Sequence, residues 1–136
     1  MSNKVFVDAW AWIALLNESD RQHRQARSIM HNLRQEKRKL LTSEFVLMEV
    51  ADALSAPHLR VKTIGFINAL RQNPILQIIS FEQTILDKAW LLYSQRTDKE
   101  WGVTDCTSFV IMQDEATQIA FTADHHFVQA GFRKLA

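Results

Sequence analysis

KVFVDAWAWIALL, residues 4–16, carries the reading of the fold. Lys4-Val5-Phe6-Val7-Asp8 is a short apolar run that ends in a carboxylate, and its β-branched and aromatic content marks a buried strand. Ala9 to Leu16 contains no helix breaker and reads as a short helix. A strand that gives way to a helix in this manner is the opening unit of a parallel sheet covered by helices.

The same alternation continues outward from that segment. Asn17 to Asp20 is a loop, with Ser19 or Asp20 as the N-cap of a helix from Arg21 to about Lys37, whose inner face is Ala26, Ile29, Met30 and Leu33. Leu40-Leu41-Thr42 is a second strand. Ser43 and Glu44 introduce a third helix carrying Phe45, Val46, Glu49, Val50, Ala53 and Leu54. Pro57 opens another helical segment, with Val61, Ile64, Ile67 and Leu70 on one face, and Asn73-Pro74 ends it. Ile75 to Ser80 is a third strand, and Phe81 to about Arg96 a helix with Ile85, Ala89 and Leu92 inside. After a polar connection over 97–102, Val103 or Thr104 starts a helix containing Asp105, Phe109, Ile111 and Met112. Gln118 to Thr122 is a fourth strand followed by Asp124, and Phe132 to Leu135 offers a short edge strand. The expected fold is therefore α/β: a single domain over residues 1–136, with a central parallel sheet of four to five short strands flanked by helices.

Composition agrees with that expectation. The 136 residues are 47% hydrophobic and 23% charged, as in an ordinary globular chain, and only three Gly and two Pro leave little room for long irregular loops. The net charge of +1 gives no general electrostatic pull toward nucleic acid, although basic residues cluster at Arg21, Arg24, Arg27, Arg34, Lys37, Arg38 and Lys39. That cluster reads first as a solvated helix face, and also as a wall able to contact phosphates. One cysteine, Cys106, excludes an internal disulfide and hence the disulfide-stapled class. No apolar signal region precedes Lys4 and no apolar run is long enough to span a bilayer, so a cytoplasmic location is expected.

Four acids stand in places that need explaining. Asp8 ends the first strand and Asp124 follows the fourth by two residues; ligands of open parallel sheets bind beyond the carboxyl ends of strands. Glu49 falls among Val46, Val50 and Ala53, on the apolar stripe of its helix, where a carboxylate needs a cation, a hydrogen-bond network or a raised pKa. Asp105 lies in the first turn of its helix, a position that complementing the helix dipole would also explain. Two carboxylates about 4 Å apart repel by roughly 4 kcal/mol at an effective dielectric of about 20. Converging acids without basic partners therefore call for a divalent cation, and hard oxygen donors favour Mg²⁺ or Mn²⁺ over zinc. Such an ion suits phosphodiester hydrolysis.

At these residues the chain resembles the PIN-domain family, and within it the VapC-type toxins of type II toxin–antitoxin pairs. The resemblance covers essentially the whole chain. It is carried by VFVDAWAWIAL around Asp8, TSEFVLMEVADAL around Glu49, DKEWGVTDCTSFVIM around Asp105 and AFTADHHF around Asp124. It implies a Mg²⁺- or Mn²⁺-dependent endoribonuclease whose metal is gathered by the acids at Asp8, Glu49, Asp105 and Asp124. It also implies an RNA substrate, a small antitoxin partner whose tail enters or covers the groove, and a homodimer. Family members often carry Ser or Thr just after the first aspartate; Ala9 and Trp10 stand there in this chain, leaving Thr104 and Thr122 as the nearby hydroxyls.

Other residues read as structural. His125 and His126 are expected to face solvent or to pack, with Phe127 as a core anchor. Cys106 is expected in the core, and Trp10, Trp12, Trp90 and Trp101 in the core or a dimer interface. Asp52, one turn from Glu49, can reach the rim of the site, while Asp98 and Glu100 are loop charges. A phosphoacceptor signalling domain is disfavoured, because no acidic pair follows the first strand and no lysine follows Phe121-Thr122-Ala123. A non-catalytic PIN-like domain that binds RNA or protein would be marked by loss of an acid. A nuclease of this fold that processes RNA without an antitoxin differs from a toxin in gene neighbourhood rather than in sequence.

Overall fold

Val5, Phe6 and Val7 are fully buried on both faces of the sheet, as the central strand of a parallel sheet must be. In a computed structural model that describes residues 3–136, they belong to β1 (Lys4–Val7). Helices α1 (Ala9–Leu16) and α2 (His23–Gln35) lead to β2 (Lys39–Ser43), and α3 (Glu44–Ala53) and α4 (Pro57–Gln72) to β3 (Leu76–Ile79). Then follow α5 (Gln83–Gln95), α6 (Val103–Asp114), β4 (Ile119–Phe121), α7 (His125–Gln129) and β5 (Arg133–Lys134).

The sheet runs β3-β2-β1-β4-β5, with every neighbouring pair parallel. From β1 the chain winds out through β2 to β3, then crosses to β4 on the other side of β1. The order reverses between β1 and β4, and ligands of open parallel sheets bind beyond the carboxyl ends of strands at such a reversal. Register makes that place specific: Val7 lies beside Phe121, so Asp8 and Thr122 emerge side by side. Packed around the sheet, α6 is deeply enclosed, with Cys106 through Met112 all buried. Phe109 is central there, meeting the rings of Trp101 and Phe127 edge-on at 5.1 Å.

The expected α/β fold and the parallel sheet are observed, with five strands among the described residues. Two local expectations are corrected. Neither Ser19 nor Asp20 caps α2: the Asp20 carboxylate accepts from the Gln22 N–H at 2.7 Å, closing a turn, and the helix begins at His23 rather than Arg21. On α4 the buried residues are Thr63 and Ile67, while Val61 is 82% and Ile64 53% exposed. The helix can turn a threonine inward because the Thr63 hydroxyl donates to Leu59 O at 2.8 Å, and that rotation sets Phe66 edge-on against Trp12 at 6.1 Å. Of the tryptophans, Trp12 and Trp101 are core, Trp10 is half-buried, and Trp90 is exposed and stacked on Tyr93. Cys106 is buried as expected, and burial pushes its thiol pKa up. Among the described residues no helix is long and apolar enough to cross a membrane.

Candidate active site

Around the carboxyl ends of β1 and β4 the sequence-predicted acids come near enough to feel one another's charge. Asp8 is the N-cap of α1, with its backbone carbonyl accepting from the Ala11 and Trp12 N–H groups, and its backbone N–H donating to Phe121 O at 3.2 Å. Only 7% of the residue is exposed. Its carboxylate accepts one strong hydrogen bond, from the Thr122 hydroxyl at 2.8 Å. Burial is the main reason its pKa rises to about 6; Thr122 and the Ala9 N–H pull it down, and Asp105 and Asp124 push it further up.

Thr122 is the junction of the site. While its hydroxyl donates to Asp8, its oxygen accepts from the Asp124 N–H at 3.1 Å. One buried side chain thus ties the ends of β1 and β4 together and sets the backbone of the fourth acid. Asp124 itself caps α7, accepting from the His126 N–H at 2.9 Å. Asp105, the third residue of α6, reaches back to the Gly102 N–H at 3.1 Å, so the helix-start role open to it from sequence is real. It is also in the site: burial and the Asp124 charge raise its pKa, against the lowering pull of Gly102 and His126.

Glu49 is placed differently from the expectation. Val46, Leu47 and Val50 take the buried stripe of α3, and Glu49 sits beside Met48 on its exposed side. The residue is exposed, yet it stands near enough to the other acids to feel their charges. Lost hydration first, then the charges of Asp8, Asp105 and Asp124, push its pKa up to about 7. Glu49 is therefore a rim carboxylate rather than a core one. Asp52, on the same helix, lines a cleft of about 430 Å³ between α3 and α4 instead.

Every Lys or Arg ion pair found among the described residues goes to a different acid: Lys4 to Glu115, Arg38 to Glu36, Arg71 to Glu44, Lys88 to Asp114 and Arg96 to Asp98. The four site acids feel one another without a lysine or arginine counterion among those pairs, the charge pattern that an added divalent cation relieves. Among the described residues, the set of three ligand atoms lying within 4.8 Å of one another is Asp124, His125 and His126, not three of the acids.

His126 is the site residue that sequence reasoning missed. Its Nδ1 lies 3.2 Å from Asp105 Oδ2 and 3.4 Å from Asp124 Oδ1, with only 18% of the side chain exposed. The available signal was spacing: two residues after a capping aspartate, the first turn of α7 folds the ring back over that aspartate. His125 does face solvent, at 70% exposure.

Fold and site together define a class: a small open α/β sheet with an acid cluster where its strand order reverses. The family model of the PIN domain matches residues 5–133, and the chain belongs to that family. Among curated proteins it is 26% identical over 128 residues to the 23S rRNA-specific endonuclease VapC20 of Mycobacterium tuberculosis, with 94% of this chain and 95% of that protein covered. The crystal structure of M. tuberculosis VapC20, described as a Sarcin-Ricin loop cleaving toxin, superposes with a TM-score of 0.82 over 94% of this chain and 95% of that one. FitAcB from Neisseria gonorrhoeae shares the fold at 14% identity, with a TM-score of 0.71 over 97% of this chain and 96% of its own. VapBC2 from Rickettsia felis, bound to a DNA fragment from its promoter, does so at 12% identity, with a TM-score of 0.68 over 97% of each chain.

Proposed function

We propose that this chain, as a single nuclease domain over residues 1–136, is the toxin of a type II toxin–antitoxin module: a divalent-metal-dependent endoribonuclease working through Asp8, Glu49, Asp105 and Asp124. One observation carries the reading. Asp8, Glu49 and Asp105 all have raised pKa and all feel the charge of Asp124, and the chain's ion-paired lysines and arginines are engaged elsewhere. The named activity of the VapC20 relative supports RNA as the substrate class.

The donor set fits Mg²⁺ or Mn²⁺, since all four acids offer hard oxygens. When bound, such an ion supplies an activated water and neutralises charge growing on a phosphate. The protein's own part is to hold the donors. Thr122 orients the buried Asp8 carboxylate and the Asp124 backbone, Gly102 N–H and His126 orient Asp105, and Glu49 stands at the open rim where a polymer arrives. The small antitoxin, the homodimer and a cytoplasmic location are proposed with the toxin reading.

The test is cleavage of total RNA with sites mapped in Mn²⁺, in Mg²⁺ and in EDTA. Asp105→Asn is expected to abolish metal-dependent cleavage while leaving the circular dichroism spectrum unchanged. Cleavage by the variant equal to that of the parent would overturn the site assignment.

A further inference from the structure

Two adjacent imidazoles stand beside the acid site, and the proposed reaction uses His126 only to orient Asp105 and His125 not at all. Asp124 Oδ1 lies 3.4 Å from His126 Nδ1 and 3.8 Å from His125 Nδ1, and the three residues offer ligand atoms all within 4.8 Å of one another. A tetrahedral ion with bonds of about 2.1 Å places its ligands about 3.4 Å apart along each edge. The Asp124–His126 separation already has that length. The Asp124–His125 separation is too long for a hydrogen bond and exceeds the edge by a few tenths of an ångström, which the exposed His125 side chain can close by a small rotation. The rings are already adjacent, with centroids 4.5 Å apart. Their positions follow from the sequence: Asp124 caps α7, and the next two residues turn over the cap.

We propose that Asp124, His125 and His126 form a separate binding site for a late first-row divalent cation of the Zn²⁺ or Co²⁺ class, at the edge of the acid cluster and sharing Asp124 with it. Nitrogen donors set its preference apart from that of the carboxylates, which select Mg²⁺ or Mn²⁺. Three protein ligands leave a fourth position to water, the pattern of an open site rather than a closed structural one. An ion held there withdraws Asp124 from the acid cluster and takes the His126 Nδ1 that otherwise contacts Asp105 at 3.2 Å, so Asp105 exchanges that hydrogen bond for a neighbouring positive charge. Zinc-class ions thereby act as regulators of the acid site. The regulatory part rests on the function proposed above; the binding part does not.

The test titrates Co²⁺ alone into the full chain held in excess Mg²⁺, reading visible absorption, and repeats it with Zn²⁺ by competition. Parent protein is expected to bind one Co²⁺ with the intense bands of a four-coordinate, nitrogen-containing site. Affinity should fall by about tenfold or more in His125→Ala and in His126→Ala, and persist in His31→Ala and in Asp8→Asn. His125 is exposed, so its variant stays folded and keeps the test decisive. Unchanged Co²⁺ affinity in both His125→Ala and His126→Ala would overturn the proposal, as would loss of Co²⁺ binding in Asp8→Asn. If Mg²⁺ and Mn²⁺ bind nowhere while Co²⁺ still binds through the histidines, the acid-site reading fails and this one stands.

Discussion

Replacing Asp8 by Asn should stabilise the metal-free protein while removing its activity. Asp8 is buried, and its pKa rises from 3.8 to about 6. An acid with a raised folded-state pKa binds its proton more tightly in the folded chain than in the unfolded one. Folding stability is therefore lost as pH climbs from the unfolded value through the folded one, and the loss is complete above it. The shift of about two units amounts to about 3 kcal/mol, forfeited at about pH 8 and largely retained at about pH 4. Asparagine keeps an oxygen to accept from Thr122, and it carries no charge at any pH. In EDTA at about pH 8, Asp8→Asn should gain about 3 kcal/mol in urea denaturation, or roughly 10 °C in Tm for a domain of this size. At about pH 4 the gain should shrink to well under about 1 kcal/mol. A saturating divalent cation should reverse the ranking at about pH 8, because it stabilises the parent and finds one ligand fewer in the variant. A variant no more stable than the parent in EDTA, or one with the same increment at both pH values, refutes the account of Asp8 as a buried, uncompensated carboxylate.

Three further outcomes follow from the same structure. Mg²⁺ or Mn²⁺ at about a hundredfold over its Kd should stabilise the parent by about 2.7 kcal/mol, read as a Tm rise over EDTA; no shift would count against the acid cluster. Thr122→Val removes the donor to Asp8 and the acceptor of the Asp124 N–H; it should cost about 1–3 kcal/mol and lower apparent metal affinity, and a variant equal to the parent in both would deny Thr122 its joining role. On α4, Ile67→Ala should cost about 2–5 kcal/mol in urea denaturation and Val61→Ala within about 0.5 kcal/mol, whereas similar costs would restore the single apolar face suggested by the sequence.

Much of the fold was legible because its signals are local. Val5-Phe6-Val7 has to be a doubly buried strand, and the unbroken AWAWIALL that follows has to leave the sheet as a helix. Asp8 and Asp124 were found at the strand ends for the same reason. Glu49 shows the limit of such reading. Its helical spacing puts it next to Val46 and Val50, but spacing cannot say on which side of the stripe boundary a carboxylate falls, and α3 turns it to the rim. On α4, Val61 and Ile64 read as core by hydrophobicity, yet a threonine whose hydroxyl closes on its own helix was the better inward residue. His126 was set aside because nothing in a dipeptide of histidines tells which ring faces an acid from a segment some twenty residues away.

Sequence by itself determined the parallel α/β alternation, the strand ends that carry Asp8 and Asp124, and the absence of local cation partners near them, because each depends on residues within a few positions of one another. Tertiary structure alone decided that β4 lies beside β1 in the register that sets Thr122 against Asp8. It also decided that Asp105 and Asp124 share His126 and that Glu49 closes the cluster from the rim. These are contacts between segments far apart in the chain, set by how helices pack on the sheet, and no local preference encodes them.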